Sequence, residues 1–127
     1  MSQDLRVIMD SYGRTWDVDA PGGLVEEVFA PDVVDHSPQP GQPDGIDGIK
    51  MGIDLYHAVF PDLHISNDDV IVSGDRGVLR WSATGTHEGD QLGVPATHQT
   101  VRLTGIDIVR IADGRVVERW ARRTRSR

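Results

Sequence analysis

The residue whose surroundings point most directly to chemistry is Asp107. Over residues 97–111, THQTVRLTGIDIVRI, a period of two sets Val101, Leu103, Gly105, Asp107, Val109 and Ile111 on one face, with Arg102, Thr104, Ile106, Ile108 and Arg110 on the other. Asp107 is the one charge on its face. A carboxylate among apolar neighbours is partly desolvated, which raises its pKa and suits it to act as a general base. The second face is partly apolar too, so an outward Asp107 paired with an Arg stays open. His36, next to Asp35, suits a proton shuttle near neutral pH. Asp107 and His36 are the expected catalytic residues, and their lying within about 6 Å of each other in one closed cavity would support chemistry there.

Other candidates surround that pair. Asp35, Asp62, His87 and Arg119 are polar residues placed to contact a ligand, and Tyr12, Trp16, Phe60, Trp81 and Trp120 offer rings that stack on a flat aromatic molecule. Each has a plainer alternative. The rings can be core, Asp62 can be the turn residue that stops a helix, and His87 can anchor a loop. His87 and His98 flank the loop 88–95, but no third ligand has suitable spacing, so no metal site is expected. The chain has no Cys, which excludes disulfides, thiolate metal sites and a Cys nucleophile.

The elements that must hold these residues follow from periodicity. Leu5, Ile8, Met9, Tyr12 and Trp16 form one apolar stripe, predicting a helix over 3–19 with Ser2 as its cap. A short second helix is predicted over 24–29 and an extended piece over 33–36. The segment 37–48, SPQPGQPDGIDG, has too many breakers for a regular element and reads as a loop forming a lid or pocket wall. Asp47 is the expected cap of a third helix, 48–60, stopped by Pro61. Strands follow over 63–72, 77–87, 97–111 (with a bulge or bend at Gly105) and 116–122, the last two joined by an Asp113-Gly114 hairpin turn. Three helices followed by a meander of long antiparallel strands make an α+β layout. Helices capping one face of a curved sheet form a cone around one apolar cavity.

Composition narrows the function. The chain has 127 residues, which fits one domain, 1–127, and carries a formal charge of −7. That balance argues against nucleic acid as a partner. No stretch of about 18 apolar residues exists to span a membrane, and MSQDLRVIMD is acidic and helical in pattern, unlike a signal peptide, so a cytoplasmic location is expected. The acids number sixteen Asp and four Glu, most of them in turns and caps. The last nine residues, Arg119 to Arg127, hold five Arg and no acid. The segment RRTRSR is expected to be a solvated, frayed tail.

Three motifs then carry a family likeness. Phe60-Pro61-Asp62-Leu63 lies at a helix-to-strand junction. Gly85-Thr86-His87-Glu88-Gly89 is followed by Gly93 and Pro95-Ala96-Thr97. Arg110 to Trp120 reads RIADGRVVERW. In this order and spacing, with Asp44 to Lys50 before the third helix, the chain resembles the SnoaL-like polyketide cyclase family, whose pattern runs FPDL, GTHxGxxxGxPPT and RxxDGKIxEHW. The resemblance implies the cone-shaped α+β barrel shared with nuclear transport factor 2 and ketosteroid isomerase. It also implies a homodimer formed through the convex side of the sheet, and chemistry on polycyclic polyketides without metal or organic cofactor.

The likeness has one departure. The aldol cyclases use an acid just after the EHW-like segment, and here that position is Ala121, with Arg119 replacing the His. Three readings therefore stay open. The first is a secondary-metabolism enzyme in which Asp107 removes a proton α to a carbonyl of a hydrophobic polycyclic or enolisable ketone while His36 or Arg119 stabilises the enolate. Its outcome is an aldol-type ring closure or a related hydroxylation or isomerisation step. The second is a pocket protein that binds a hydrophobic ligand without chemistry. The third is epoxide opening by a water held between a carboxylate and an Arg.

Overall fold

A computed structural model of the chain describes residues 4–125. Its elements run α1 (Leu5–Arg14), α2 (Leu24–Val28), β1 (Phe29–Asp35), α3 (Ile46–Val59), β2 (His64–Ser73), β3 (Arg76–Thr86), β4 (Thr100–Ala112) and β5 (Arg115–Arg125). The strands make one curved, unclosed sheet in the order β1-β5-β4-β3-β2, with the helices at the N-terminal end of the chain. This is the α+β arrangement expected from the sequence.

Helix α1 lays Ile8, Met9 and Tyr12 on the inner face of the sheet, all of them at most 5% exposed. Together with Phe29, Val33, Ile49, Leu79, Val109 and Val116 they form the main core. The packing is close. A Cβ on Gly77 of β3 would lie 2.3 Å from the sulfur of Met9, so only glycine lets the helix approach the strand there. A second cluster of Val59, Phe60, Leu63, Ala83 and Leu103 closes the other end.

The helix boundaries differ from expectation for local reasons. The expected cap Ser2 lies outside the described residues, and Asp4 caps α1 by accepting from the Arg6 N–H at 2.9 Å. The helix ends at Arg14 because Thr15 turns its hydroxyl back onto the Tyr12 carbonyl, at 2.6 Å. Helix α3 begins two residues early, capped by Gly45 at φ +73°, which places Asp47 within the first turn. The Asp113-Gly114 turn is as expected, with both residues at positive φ.

Three corrections concern the sheet. It is not wholly antiparallel, because β1 pairs in parallel with β5, with Asp35 opposite Arg119. Edge position lets β1 accept Pro31 without losing an interior hydrogen bond. Gly105 is no bulge, since it pairs in register with Trp81 and Arg123. A Cβ there would lie 2.4 Å from the Trp81 ring, so its role is clearance for that indole. The expected frayed tail is strand as far as Arg125, hydrogen-bonded along β4; Ser126 and Arg127 lie outside the described residues.

Candidate functional site

The alternation of β4 points Asp107 inward, as its position among apolar neighbours predicts. Asp107 is 5% exposed, whereas Ile106 and Ile108 beside it are 49% and 39% exposed on the outer face. The alternative of an outward Asp107 is thereby excluded, although the residue does meet an arginine. Its Oδ2 accepts from the Tyr12 hydroxyl at 2.6 Å and from Arg119 Nη2 at 3.4 Å, and its Oδ1 accepts from Trp81 Nε1 at 3.0 Å. Four elements thus meet at this carboxylate: α1, β3, β4 and β5.

Arg119 organises the floor of the site. Its Nε donates to the Tyr12 oxygen at 2.9 Å, and its Nη1 donates to Asp35 Oδ2 at 2.8 Å. Its guanidinium lies 5.1 Å from the Trp16 ring centroid. Asp35 in turn accepts from the Ser37 N–H at 2.9 Å and from Gln42 Nε2 at 3.0 Å. Burial pushes the Tyr12 phenol well above its ordinary range. Arg119 pulls against that shift and Asp107 adds to it, so Tyr12 stays protonated and remains a donor. Desolvation works to lower the Arg119 pKa, but Tyr12, Asp107 and Asp35 outweigh it and hold it above its ordinary value.

Above this floor is a cavity of about 320 Å³. Ile49, Leu63, Ile65, Leu79, Ala83 and Leu103 give it apolar walls, and Trp16, Trp81 and Tyr56 give it aromatic ones. Ser37, Gln39 and Gln42 come from the Pro/Gly-rich loop, which forms part of the pocket wall as expected. Gln42 braces that loop, its Oε1 accepting from the Gln39 N–H at 3.0 Å while its amide nitrogen reaches Asp35. An apolar chamber with a few converging polar groups is the usual form of a small-molecule site.

Of the expected site residues, Tyr12, Trp16, Asp35, Trp81, Asp107 and Arg119 line this cavity. The other five lie elsewhere. His36 is the main correction. The period of β1 turns Asp35 inward and therefore His36 outward, where His36 bonds to Glu118 at 2.9 Å and stacks on Trp120 at 4.6 Å between centroids. Trp120 is outward because Arg119 is inward, and Arg76 lies over its ring. Phe60 is in the second core cluster. Asp62 accepts from the Thr86 N–H at 2.7 Å and its hydroxyl at 2.8 Å, which pulls its pKa down and ties the α3–β2 turn to the end of β3. His87 packs against Phe60, with Thr97 Oγ1 at 3.3 Å from Nδ1.

Sequence reasoning did not single out Ser37, Gln39, Gln42, Tyr56 or Arg123 as site residues. Arg123 had a usable signal: it stands at even spacing from Arg119 on one strand, so both face inward. It donates to the Tyr56 hydroxyl and lies 5.3 Å from that ring's centroid. The His98 N–H donates to the His87 carbonyl at 2.9 Å, but the two rings take different partners, His98 bonding to Glu88 and His87 to Thr97. Among the described residues, the three side chains with close metal-ligating atoms are Asp17, Asp19 and His64, at the surface. There Asp17 already accepts from the N–H groups of Asp19 and Ile65, which marks a structural corner. Among the described residues no helix is long and apolar enough to cross a membrane.

Comparison with known proteins agrees with this architecture. The chain is similar to TsrD from Streptomyces laurentii (25% identity, TM-score 0.84, covering 96% of this chain and 91% of that one). It is similar to IdmH, a candidate polyketide cyclase from Streptomyces antibioticus (27% identity, TM-score 0.81, 95% and 92% covered). It is also similar to AclR, a candidate hydroxylase from Streptomyces galilaeus (26% identity, TM-score 0.76, 94% and 74% covered). Comparison with curated proteins gives no match. The family model described as SnoaL-like polyketide cyclase matches residues 6–123. With that match over nearly its whole length, and with its motifs and curved sheet, the chain belongs to the SnoaL-like polyketide cyclase family.

Proposed function

We propose that this chain is an enzyme of polyketide-type secondary metabolism that removes a proton α to a carbonyl of a polycyclic, enolisable ketone. The observation that carries this reading is the buried Asp107 carboxylate at the floor of an apolar, aromatic-lined cavity. The substrate's C–H bond breaks, its proton goes to Asp107, and the electron pair moves onto the carbonyl oxygen to give an enolate. Protonated Asp107 no longer needs the Tyr12 hydrogen bond, so that hydroxyl is released to donate to the enolate oxygen. Arg119 keeps its pairing with Asp35 throughout. In an aldol-type closure the enolate carbon then attacks a second carbonyl of the same molecule, and the new alkoxide recovers its proton from Asp107. His36, on the outer face, has no part in these steps.

The test is hydrogen–deuterium exchange at C1 of 2-tetralone, a bicyclic enolisable ketone, followed by NMR in D₂O. The chain is expected to speed exchange and Asp107→Asn to lower the enzymatic rate by about 10²–10⁴-fold while still binding the ketone. An unchanged rate in Asp107→Asn would end the assignment of the base. A second reading, binding without chemistry, is favoured by Ala121, which lines the cavity where the aldol cyclases carry their acid. A chain that binds 2-tetralone without speeding exchange supports it. In either case we propose that two copies associate through the outer face of the sheet, where Ile71, Ile106 and Ile108 stand exposed.

A further inference from the structure

The floor of the pocket holds an unbalanced charge. Asp35 and Asp107 both pair with Arg119, at 2.8 Å and 3.4 Å, and the side chains of all three are at most 12% exposed. Tyr12 is a neutral donor there. Two carboxylates sharing one guanidinium leave one surplus negative charge. Among the described residues lining this end of the cavity, no other charged side chain offsets it. Helix α3 contributes Gly48, Ile49, Gly52 and Tyr56, and β3 contributes Leu79, Trp81 and Ala83, all uncharged. The loop residues Ser37, Gln39 and Gln42 are neutral as well. The other lining cation, Arg123, stands four residues along β5, its backbone about 13 Å from that of Arg119 at the usual rise of a strand, with its guanidinium against Tyr56.

A surplus charge in an apolar chamber is costly, and whatever neutralises it gains the corresponding free energy. Burial also raises the effective strength of the interaction, because solvent screens it little. We propose that the deep end of this pocket selects ligands by charge, taking a cationic group, such as a protonated nitrogen, on a flat apolar ring system. Ligands that bring a carboxylate to the same end meet Asp35 and Asp107 and are rejected. The two carboxylates serve one field, and the aromatic walls supply the rest of the recognition. This selection rests on the charge of the cavity alone, so it holds or fails separately from the role of Asp107 as a base.

Three probes that share one ring system isolate the effect: 1-naphthylmethylammonium, 1-naphthalenemethanol and 1-naphthoate, titrated calorimetrically into the full chain at pH 7. The ammonium is expected to bind at least about 10-fold more tightly than the alcohol, and the alcohol more tightly than the carboxylate. In Asp35→Asn, and independently in Asp107→Asn, the alcohol is expected to keep its affinity while the ammonium loses its advantage. Carboxylate binding equal to or better than ammonium binding overturns the proposal. So does an ammonium preference that survives both substitutions, or a failure of all three probes to bind.

Discussion

The hydroxyl of Tyr12 on α1 donates to Oδ2 of Asp107 on β4 at 2.6 Å, joining residues ninety-five positions apart. The Tyr12 oxygen itself accepts from Arg119 Nε, so Tyr12 is both donor and acceptor within one buried group. Tyr12→Phe keeps the ring in the core and removes only the hydroxyl. It leaves Asp107 short of a donor and Arg119 short of an acceptor, which is expected to cost about 1–3 kcal/mol in urea unfolding. Exchange at 2-tetralone is expected to slow as well, because the hydroxyl is no longer present to meet the enolate.

Arg119→Leu tests the other half of that group. It leaves Asp35 and Asp107 without the guanidinium they share, and the expected destabilisation is about 3–5 kcal/mol by chemical denaturation. Arg119→Lys is expected to recover only part of it. One ammonium cannot reproduce the separate reach of Nε, Nη1 and Nη2 to Tyr12, Asp35 and Asp107.

Gly105→Ala is expected to be destabilising by about 1–3 kcal/mol, although alanine is small. The added Cβ would lie 2.4 Å from Trp81 and 2.9 Å from the Arg122 carbonyl. The indole must move, and its hydrogen bond to Asp107 lengthens or breaks. A shift in tryptophan emission relative to the parent chain reads that movement. An unshifted spectrum and unchanged stability would contradict the clearance role of Gly105.

The corner at Asp17 predicts a pH dependence. Partial burial works to raise its pKa, but the N–H groups of Ile65 and Asp19, with His64 nearby, outweigh this and lower it. A carboxylate with a depressed folded-state pKa adds stability that is complete above its unfolded value and lost as pH falls through its folded value. Melting temperature is therefore expected to drop as pH falls through and below the ordinary aspartate range near about pH 4, and Asp17→Asn to flatten that decline. An identical acid profile in the variant would remove Asp17 from the account.

Association through the outer face is tested by Ile106→Asp combined with Ile108→Asp. Both residues are exposed on β4 and their partners across the sheet are outer-face residues too. Sedimentation is expected to show two copies for the parent and one for the variant, with the fold retained by circular dichroism. A parent chain that sediments as one copy at micromolar concentration would exclude this interface.

The inner face of β4 was legible from sequence because alternation decides which residues share a face, and a single charge stands out among the apolar ones. Asp107 and the outward Ile106 and Ile108 all follow from a period of two. The layer arrangement was legible in the same way, through α1's stripe and the change of period after Pro61. His36 shows where that reasoning stops. Its neighbour Asp35 enters the cavity, and the choice between them depends on the register of β1 against β5, set by a parallel contact more than eighty residues away. Gln42 was hidden in a loop whose composition says only that it is irregular. The even spacing of Arg123 from Arg119 marks the inner face only once the arginine-rich terminus, which reads as solvated by composition, is known to pair as strand.

The parallel contact of β1 with β5 also governs the order of assembly. Asp35 emerges early in synthesis and Arg119 near the end, and their strands pair directly. Until the last strand arrives, β1 has no hydrogen-bonded neighbour in the sheet, and the carboxylate of Asp35 has no cation. Contacts this distant in sequence slow folding, because a long chain segment must be closed before they form. The floor of the pocket is thus complete only once β5 docks, and until then Asp35 and Asp107 both lack the cation they share.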